Sequence, residues 1–133
     1  MPADQTIRML LVEDNPTDAF LLNAALSKAS DWKFELVIVQ RLQEAGAAFE
    51  EHSLDGVITD LNLPDSVGLD TVRELVKLAD GLPILALTGW EDPIFGARLI
   101  EEGATSYWSK DRIRGPDFPN AIAALIRQKA KEQ

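Results

Sequence analysis

Three carboxylates, one hydroxyl and one ammonium lie where apolar runs of this sequence end. They are Glu13, Asp14, Asp60, Thr88 and Lys110. Carboxylates held close together repel one another unless a cation joins them, and a set of hard oxygen ligands favours Mg²⁺. A lysine ammonium suits a phosphoryl group, and a carboxylate can act as a nucleophile that forms an aspartyl-phosphate. These groups therefore indicate phosphoryl transfer onto Asp60, with Mg²⁺ and Lys110 neutralising charge.

Strands and helices must alternate to bring these groups together. Apolar runs typical of strands occupy residues 7–12, 34–39, 57–60, 84–87 and 105–108. Amphipathic stretches typical of helices begin after Asn15, near Leu42, at Gly68, near Ile94 and after Pro119. This alternation predicts an α/β fold, a flavodoxin-like doubly wound parallel sheet of five strands in the order 2-1-3-4-5 with five helices. The carboxyl ends of its strands share one edge, where ligands bind.

Composition narrows the class of protein further. With 133 residues and 46% hydrophobic composition, we expect residues 1–133 to form a single domain with a substantial core. A net charge of -9 argues against direct nucleic-acid binding and is compatible with a divalent cation. The chain has no cysteine and no apolar run of about 18 residues, which excludes disulfides and predicts no membrane span. The polar N-terminus is unlike a signal peptide, so we expect a cytoplasmic protein.

Five motifs occur in order at the predicted element boundaries. They are Val12-Glu13-Asp14-Asn15, Asp60-Leu61-Asn62-Leu63-Pro64 with Gly68, Leu87-Thr88-Gly89, Glu102-Gly103-Ala104 and Tyr107-Trp108-Ser109-Lys110. Each motif is weak alone, but together they resemble the receiver domain of two-component response regulators, including the single-domain chemotaxis type. The resemblance extends from Ile7 to about Ala130.

The resemblance implies a phosphoacceptor and a metal site. Asp60 would accept a phosphoryl group from a sensor histidine kinase or from a small acyl phosphate. The acidic pair Glu13 and Asp14 would hold Mg²⁺ together with Asp60 and the backbone carbonyl of Asn62. Such a domain would not be an enzyme beyond catalysing its own phosphorylation and dephosphorylation.

The resemblance also implies a switch. Thr88 and Lys110 would contact the phosphoryl group, and Tyr107 would change rotamer with phosphorylation. The altered surface would comprise the fourth helix, the fifth strand and the fifth helix. It would bind an unknown downstream protein or a second copy of the chain as a homodimer. The sequence leaves open whether the receiver stands alone or belongs to a longer protein.

Three positions depart from the usual receiver pattern. Glu13 replaces the commoner aspartate, which the family tolerates. Asp111 follows Lys110 where the family commonly has proline, so a cis Lys-Pro peptide is excluded. Trp90 lies two residues past Thr88 and is large and apolar. We expect Trp90 to shield the phosphoryl group from water and to slow dephosphorylation.

Two other functions fit parts of the pattern. A phosphatase of the haloacid dehalogenase type also uses a strand-end aspartate with Mg²⁺, but it needs a second carboxylate two residues later, where this chain has Asn62. A receiver-like binding module would never be phosphorylated. The intact set of Glu13, Asp14, Asp60 and Lys110 argues against that alternative.

Overall fold

A computed structural model describes residues 6–29, 32–89 and 92–132, with residues 129–132 described by their backbone alone. The main sheet has five strands: β1 Thr6–Val12, β2 Lys33–Val39, β3 Gly56–Asp60, β4 Ile84–Thr88 and β5 Ser106–Ser109. Their order is β2-β1-β3-β4-β5, and every neighbouring pair is parallel. The predicted order 2-1-3-4-5 is confirmed.

The described residues include five α-helices, as predicted. They are α1 Pro16–Ser27, α2 Ala45–Glu51, α3 Leu69–Ala79, α4 Pro93–Glu101 and α5 Asp117–Glu132. A 3₁₀ turn at Leu42–Glu44 precedes α2, and another at Lys110–Arg112 follows β5. A small antiparallel hairpin, Asn62–Leu63 paired with Ser66–Val67, lies between β3 and α3 and was not predicted.

Two helices begin with the same local chemistry directly after the strand-end loops. The side chains of Asn15 and Asp92 each accept hydrogen bonds from the backbone N–H groups two and three residues further on. Pro16 and Pro93 then occupy the first helical positions, where a missing N–H costs nothing. These caps fix where α1 and α4 start at the carboxyl edge of the sheet.

The core lies on both faces of the sheet. On one face, α1 and α5 pack against β1, β3 and β4 through a cluster that includes Leu22, Ile58 and Phe118. On the other face, α2 and α3 cover β1 and β3, and a third cluster around Leu99 joins α4 to the sheet. All five residues of β3 are buried, as expected for a central parallel strand. Asp60 therefore ends a strand that is held from both sides.

Candidate functional site

The register of the sheet brings four strand ends to one edge. Val12 lies beside Thr59, Asp60 beside Leu87, and Thr88 beside Ser109. The N–H of Glu13 donates to the carbonyl of Val39, 2.9 Å away, which continues the ladder one residue past β1. Side chains that follow these strands therefore meet at the same edge.

The predicted acidic residues meet at this edge. Glu13, Asp14 and Asp60 each offer a carboxylate oxygen, and these atoms lie within 4.8 Å of one another. Glu13 is 1% exposed and Asp60 8% exposed, while Asp14 is open to solvent. The cluster is thus buried on one side and accessible on the other.

The ammonium of Lys110 lies among carboxylates from three segments. Its Nζ is 3.1 Å from Glu13 Oε1, 3.5 Å from Asp60 Oδ1 and 2.8 Å from Asp18 Oδ2. Burial disfavours the charged ammonium, but the hydrogen bond to Asp18 and the charges of Asp60 and Glu13 outweigh it. The pKa of Lys110 is therefore raised above its usual range, and the group stays protonated.

The charged form of Glu13 is destabilised by this arrangement. Its Oε2 accepts a hydrogen bond from the Asn15 N–H at 3.2 Å, but its buried Oε1 has no hydrogen-bond partner among the described residues. The contact of that oxygen with Lys110 is close enough for an ion pair but lacks hydrogen-bonding geometry. Burial and the nearby charge of Asp60 raise the pKa of Glu13 to about 7, although Lys110 opposes the shift.

These groups fit a divalent cation. Within the described part of the chain, Glu13 Oε1 lacks a hydrogen-bond partner and lies next to two further carboxylates, and together they offer the hard donors that such an ion binds. A cation there would also offset the repulsion between Glu13 and Asp60, which Lys110 relieves only in part. The arrangement can therefore hold a metal ion beside Asp60.

Asp60 is held by its own backbone. Its Oδ1 accepts a hydrogen bond from the N–H of Leu61 at 2.8 Å and faces Lys110. The Thr59 hydroxyl donates to the backbone carbonyl of Asp60, also at 2.8 Å. The Asp60 side chain retains 12% exposure, so a reactant can approach a carboxylate whose orientation is restrained.

The loop after Asp60 is anchored by a residue that the sequence did not single out. Exposed Asn62 begins the hairpin two residues past Asp60, and the N–H of Gly68 donates to the carbonyl of Leu61. The carboxylate of Asp65, at the hairpin turn, accepts the backbone N–H groups of residues 42 and 43, both at 2.9 Å. Asp65 thus ties the loop that carries Asn62 to the 3₁₀ turn before α2.

The two predicted switch residues lie on neighbouring strands. The hydroxyl of Thr88 donates to the carbonyl of Trp108 across the β4–β5 boundary at 3.5 Å. Tyr107 is half-buried in the cluster with Leu99, and its ring lies directly on the backbone of α4 at Gly96, where a Cβ atom would collide with it. Trp108 faces the other side of the sheet, with its ring edge-to-face with that of Phe118 at 5.4 Å.

Asp111 and Trp90, which depart from the usual receiver pattern, differ in whether the structure describes them. Asp111 lies in the 3₁₀ turn after β5, where Ser109 Oγ accepts its backbone N–H at 3.3 Å. The described residues contain no cis peptide bond, so this turn is made with trans peptides. Trp90 lies outside the described residues, so its shielding role stays a prediction.

Comparison with known proteins identifies the family. A model of the response regulator receiver domain matches residues 9–117. This chain belongs to that family. The receiver is similar to the virulence transcriptional regulatory protein PhoP of Salmonella typhimurium, with 33% identity over 107 residues. The match covers 78% of this chain and 45% of PhoP.

A second relative is a sensor kinase rather than a transcriptional regulator. The receiver is 36% identical over 102 residues to the autoinducer 2 sensor kinase/phosphatase LuxQ of Vibrio parahaemolyticus. That match covers 76% of this chain and 12% of LuxQ. The chain thus matches less than half the length of either relative.

Solved structures share the receiver fold. A CheY-like receiver domain protein from Methanospirillum hungatei superposes with a TM-score of 0.76 at 21% identity, covering 97% of this chain and all of the other. The receiver domain of a sensor histidine kinase from Pseudomonas aeruginosa superposes with a TM-score of 0.68 at 24% identity, covering 94% and 98%. Among the described residues, no helix combines the length and apolarity needed to span a membrane.

Proposed function

We propose that this receiver accepts a phosphoryl group on Asp60 in a Mg²⁺-dependent reaction. The observation that carries the proposal is the convergence of Glu13, Asp14, Asp60 and Lys110 at one edge of the sheet. The Pseudomonas receiver structure holds a magnesium ion coordinated in its active-site cleft, which supports the same metal here. On this proposal, residues 1–133 form one receiver domain.

Each side chain of the site has a separate role in the proposed phosphoryl transfer. An Asp60 carboxylate oxygen attacks the phosphorus of the donor, and the bond from phosphorus to the donor nitrogen or oxygen breaks with its electron pair leaving on the donor. Lys110 balances negative charge on the transferring group, and the Thr88 hydroxyl donates to one of its oxygens. Glu13, Asp14, Asp60 and the Asn62 carbonyl would hold Mg²⁺. When bound, the ion neutralises charge on the carboxylates and the phosphoryl oxygens.

Phosphorylation would act by shifting a population. A phosphorylated receiver favours one arrangement of Thr88 and Tyr107, and a partner that binds this arrangement more tightly detects the signal. The surface formed by α4, β5 and α5 would be read by a downstream protein or by a second copy of the chain. The donor would be a sensor histidine kinase, and the receiver would act in the cytoplasm. PhoP is a transcriptional regulatory protein and LuxQ is a sensor kinase/phosphatase, so they do not specify the output here.

The test is incubation with a small acyl phosphate, followed by intact-mass spectrometry. We expect the wild-type protein to gain one phosphoryl group with Mg²⁺ and none after chelation of the metal. Asp60→Asn should gain none, whereas Asp55→Asn, which alters an aspartate outside the site, should behave as wild type. Steady release of phosphate from monoesters would favour a phosphatase instead. No modification under any condition would favour a binding module that is never phosphorylated.

A further inference from the structure

Asp18 forms an ion pair with Lys110, the lysine proposed to contact the phosphoryl group. It lies in the first turn of α1, four residues after Asp14, and its backbone N–H donates to the capping side chain of Asn15 at 3.1 Å. From there its carboxylate reaches Lys110 Nζ at 2.8 Å, across a sequence separation of 92 residues. A side chain that would otherwise serve only the helix terminus therefore makes the shortest contact of Lys110 with a carboxylate among the described residues.

The contact holds Lys110 on the α1 side of the site. Among the carboxylates that the structure describes, Asp18 is the one with which Lys110 makes a well-formed hydrogen bond, whereas Asp60 Oδ1 lies 3.5 Å away. The side chains of Lys110 and Asp18 are 25% and 34% exposed, so water screens the pair only in part. The Lys110 ammonium must therefore lengthen or weaken its hydrogen bond to Asp18 before it can donate fully to a phosphoryl group on Asp60.

We propose that Asp18 is a positioning residue that retains Lys110 in the unphosphorylated receiver and competes with the phosphoryl group for its ammonium. The inference rests on the proposed function, because it assumes that Lys110 contacts the phosphoryl group. Asp18 also adds negative charge near the site, which opposes the arrival of an anion. Both effects act in the same direction, so loss of the Asp18 charge favours the phosphoryl-bound state.

The test measures the affinity for beryllofluoride, an inorganic mimic of a phosphoryl group, by calorimetry in the presence of Mg²⁺. Asp18→Asn keeps the shape of the side chain and removes its charge. We expect it to bind beryllofluoride about three- to fivefold more tightly than wild type, the upper part of the range for an exposed ion pair. Asp18→Glu retains the charge and should remain close to wild type. A destabilised variant would not bind the mimic more tightly, so the direction separates competition from a structural role.

A matched control removes charge without touching the contact. Asp111 is adjacent to Lys110 in sequence, and among the described residues it makes no ion pair with that lysine. Asp111→Asn should leave the affinity within about twofold of wild type. Equal tightening in Asp111→Asn and Asp18→Asn would show a general charge effect and overturn the proposal.

The remaining outcomes separate this inference from the proposed function. Unchanged or weaker binding in Asp18→Asn, with normal binding by wild type, would overturn the competition and leave the proposed function intact. Weaker binding would mean that Asp18 holds Lys110 in its productive position, and unchanged binding would mean that the contact has no effect on the phosphoryl-bound state. Failure of the wild-type protein to bind beryllofluoride with Mg²⁺ would instead contradict the proposed function itself. A crystal structure of Asp18→Asn should also show Lys110 Nζ closer to Asp60 Oδ1 than 3.5 Å.

Discussion

Two groups of ion pairs in this receiver use similar chemistry in different surroundings. At the carboxyl edge of the sheet, Lys110 lies among Glu13, Asp60 and Asp18. On the surface between α3 and the end of α4, Arg73 donates to Asp70 and Glu102, each at 2.7 Å. The Glu13 side chain is fully buried, whereas Arg73 is 48% exposed and Asp70 74% exposed. The two groups therefore differ in burial far more than in composition.

The two glutamates respond in opposite directions. The hydrogen bond from Arg73 lowers the pKa of Glu102, because the guanidinium stabilises the charged carboxylate and outweighs its partial loss of water. Burial and Asp60 raise the pKa of Glu13 despite the nearby ammonium. The exposed pair of Arg73 and Glu102 thus stabilises its own carboxylate, whereas the carboxylates around Lys110 retain unbalanced negative charge. That unbalanced charge is what a divalent cation and a phosphoryl group can use.

The largest expected difference comes from removing the cation of each group. Lys110→Met leaves the buried carboxylates of Glu13 and Asp60 without their ammonium, which should lower the free energy of unfolding by roughly 2–4 kcal/mol without metal. Urea denaturation at neutral pH measures this loss. Added Mg²⁺ should restore part of it, since a second cation can take the place of the first. A loss no greater than that of Arg73→Met would contradict the contrast between the two groups.

The next largest effect is a dependence of the free energy of unfolding on pH, which arises from the titration of Glu13. Its pKa of about 7 in the folded receiver exceeds the ordinary value of 4.5, so the folded state binds a proton more tightly than the unfolded chain does. The contribution of this proton to stability is complete below pH 4.5 and is lost as the pH rises to about 7. Across that window, we expect the metal-free wild type to lose on the order of 2–3 kcal/mol relative to Glu13→Gln. If the free energies of unfolding of the two proteins changed in parallel with pH, the raised pKa assigned to Glu13 would be refuted.

A smaller effect concerns an exposed carboxylate with fixed donors. Contact with the protein removes some water from Asp65, but the N–H groups of Gln43 and Leu42 outweigh this and lower its pKa. Asp65→Asn keeps one acceptor oxygen but loses the charge, and should cost about 1 kcal/mol of stability. Because Asp65 anchors the loop that carries Asn62, Mg²⁺ affinity should fall as well. Calorimetric titration with Mg²⁺ would measure that loss, and unchanged affinity would show that the anchor does not position the metal site.

The smallest effect is expected at the surface group. Arg73→Ala should lower the melting temperature by less than about 4 °C, because exposed ion pairs contribute little. Raising the salt concentration should reduce this difference further. Differential scanning calorimetry of wild type and variant gives both values. A much larger shift would mean that the link between α3 and the end of α4 supports the fold as strongly as the buried cluster does.

The sequence predicted the features that follow from parallel-sheet geometry. Once the strands were recognised, Glu13, Asp60, Thr88 and Lys110 had to lie at or directly after strand ends that share one edge. The helix cap at Asn15 was also predictable, because it depends on a local pattern of residues. The roles of these residues in metal binding and phosphoryl transfer stay predictions that the experiments above address.

Contacts between distant segments could not be predicted in the same way. The contact of Asp18 with Lys110 depends on side-chain conformations at two segments that lie far apart in the chain. Its one sequence signal is the position of Asp18 in the first turn of α1, shortly after the acidic pair Glu13 and Asp14. The anchor formed by Asp65 requires the hairpin after β3, whose strands are only two residues long and leave no apolar period to detect.

The central claim is that Asp60, among the carboxylates of this edge, receives the phosphoryl group. Treatment of the phosphorylated protein with borohydride reduces an aspartyl-phosphate to homoserine, which peptide mapping can locate. The account predicts homoserine at position 60 alone, and only when Mg²⁺ was present during phosphorylation. Homoserine at position 14 or 18, or labelling that does not need the metal, would contradict it.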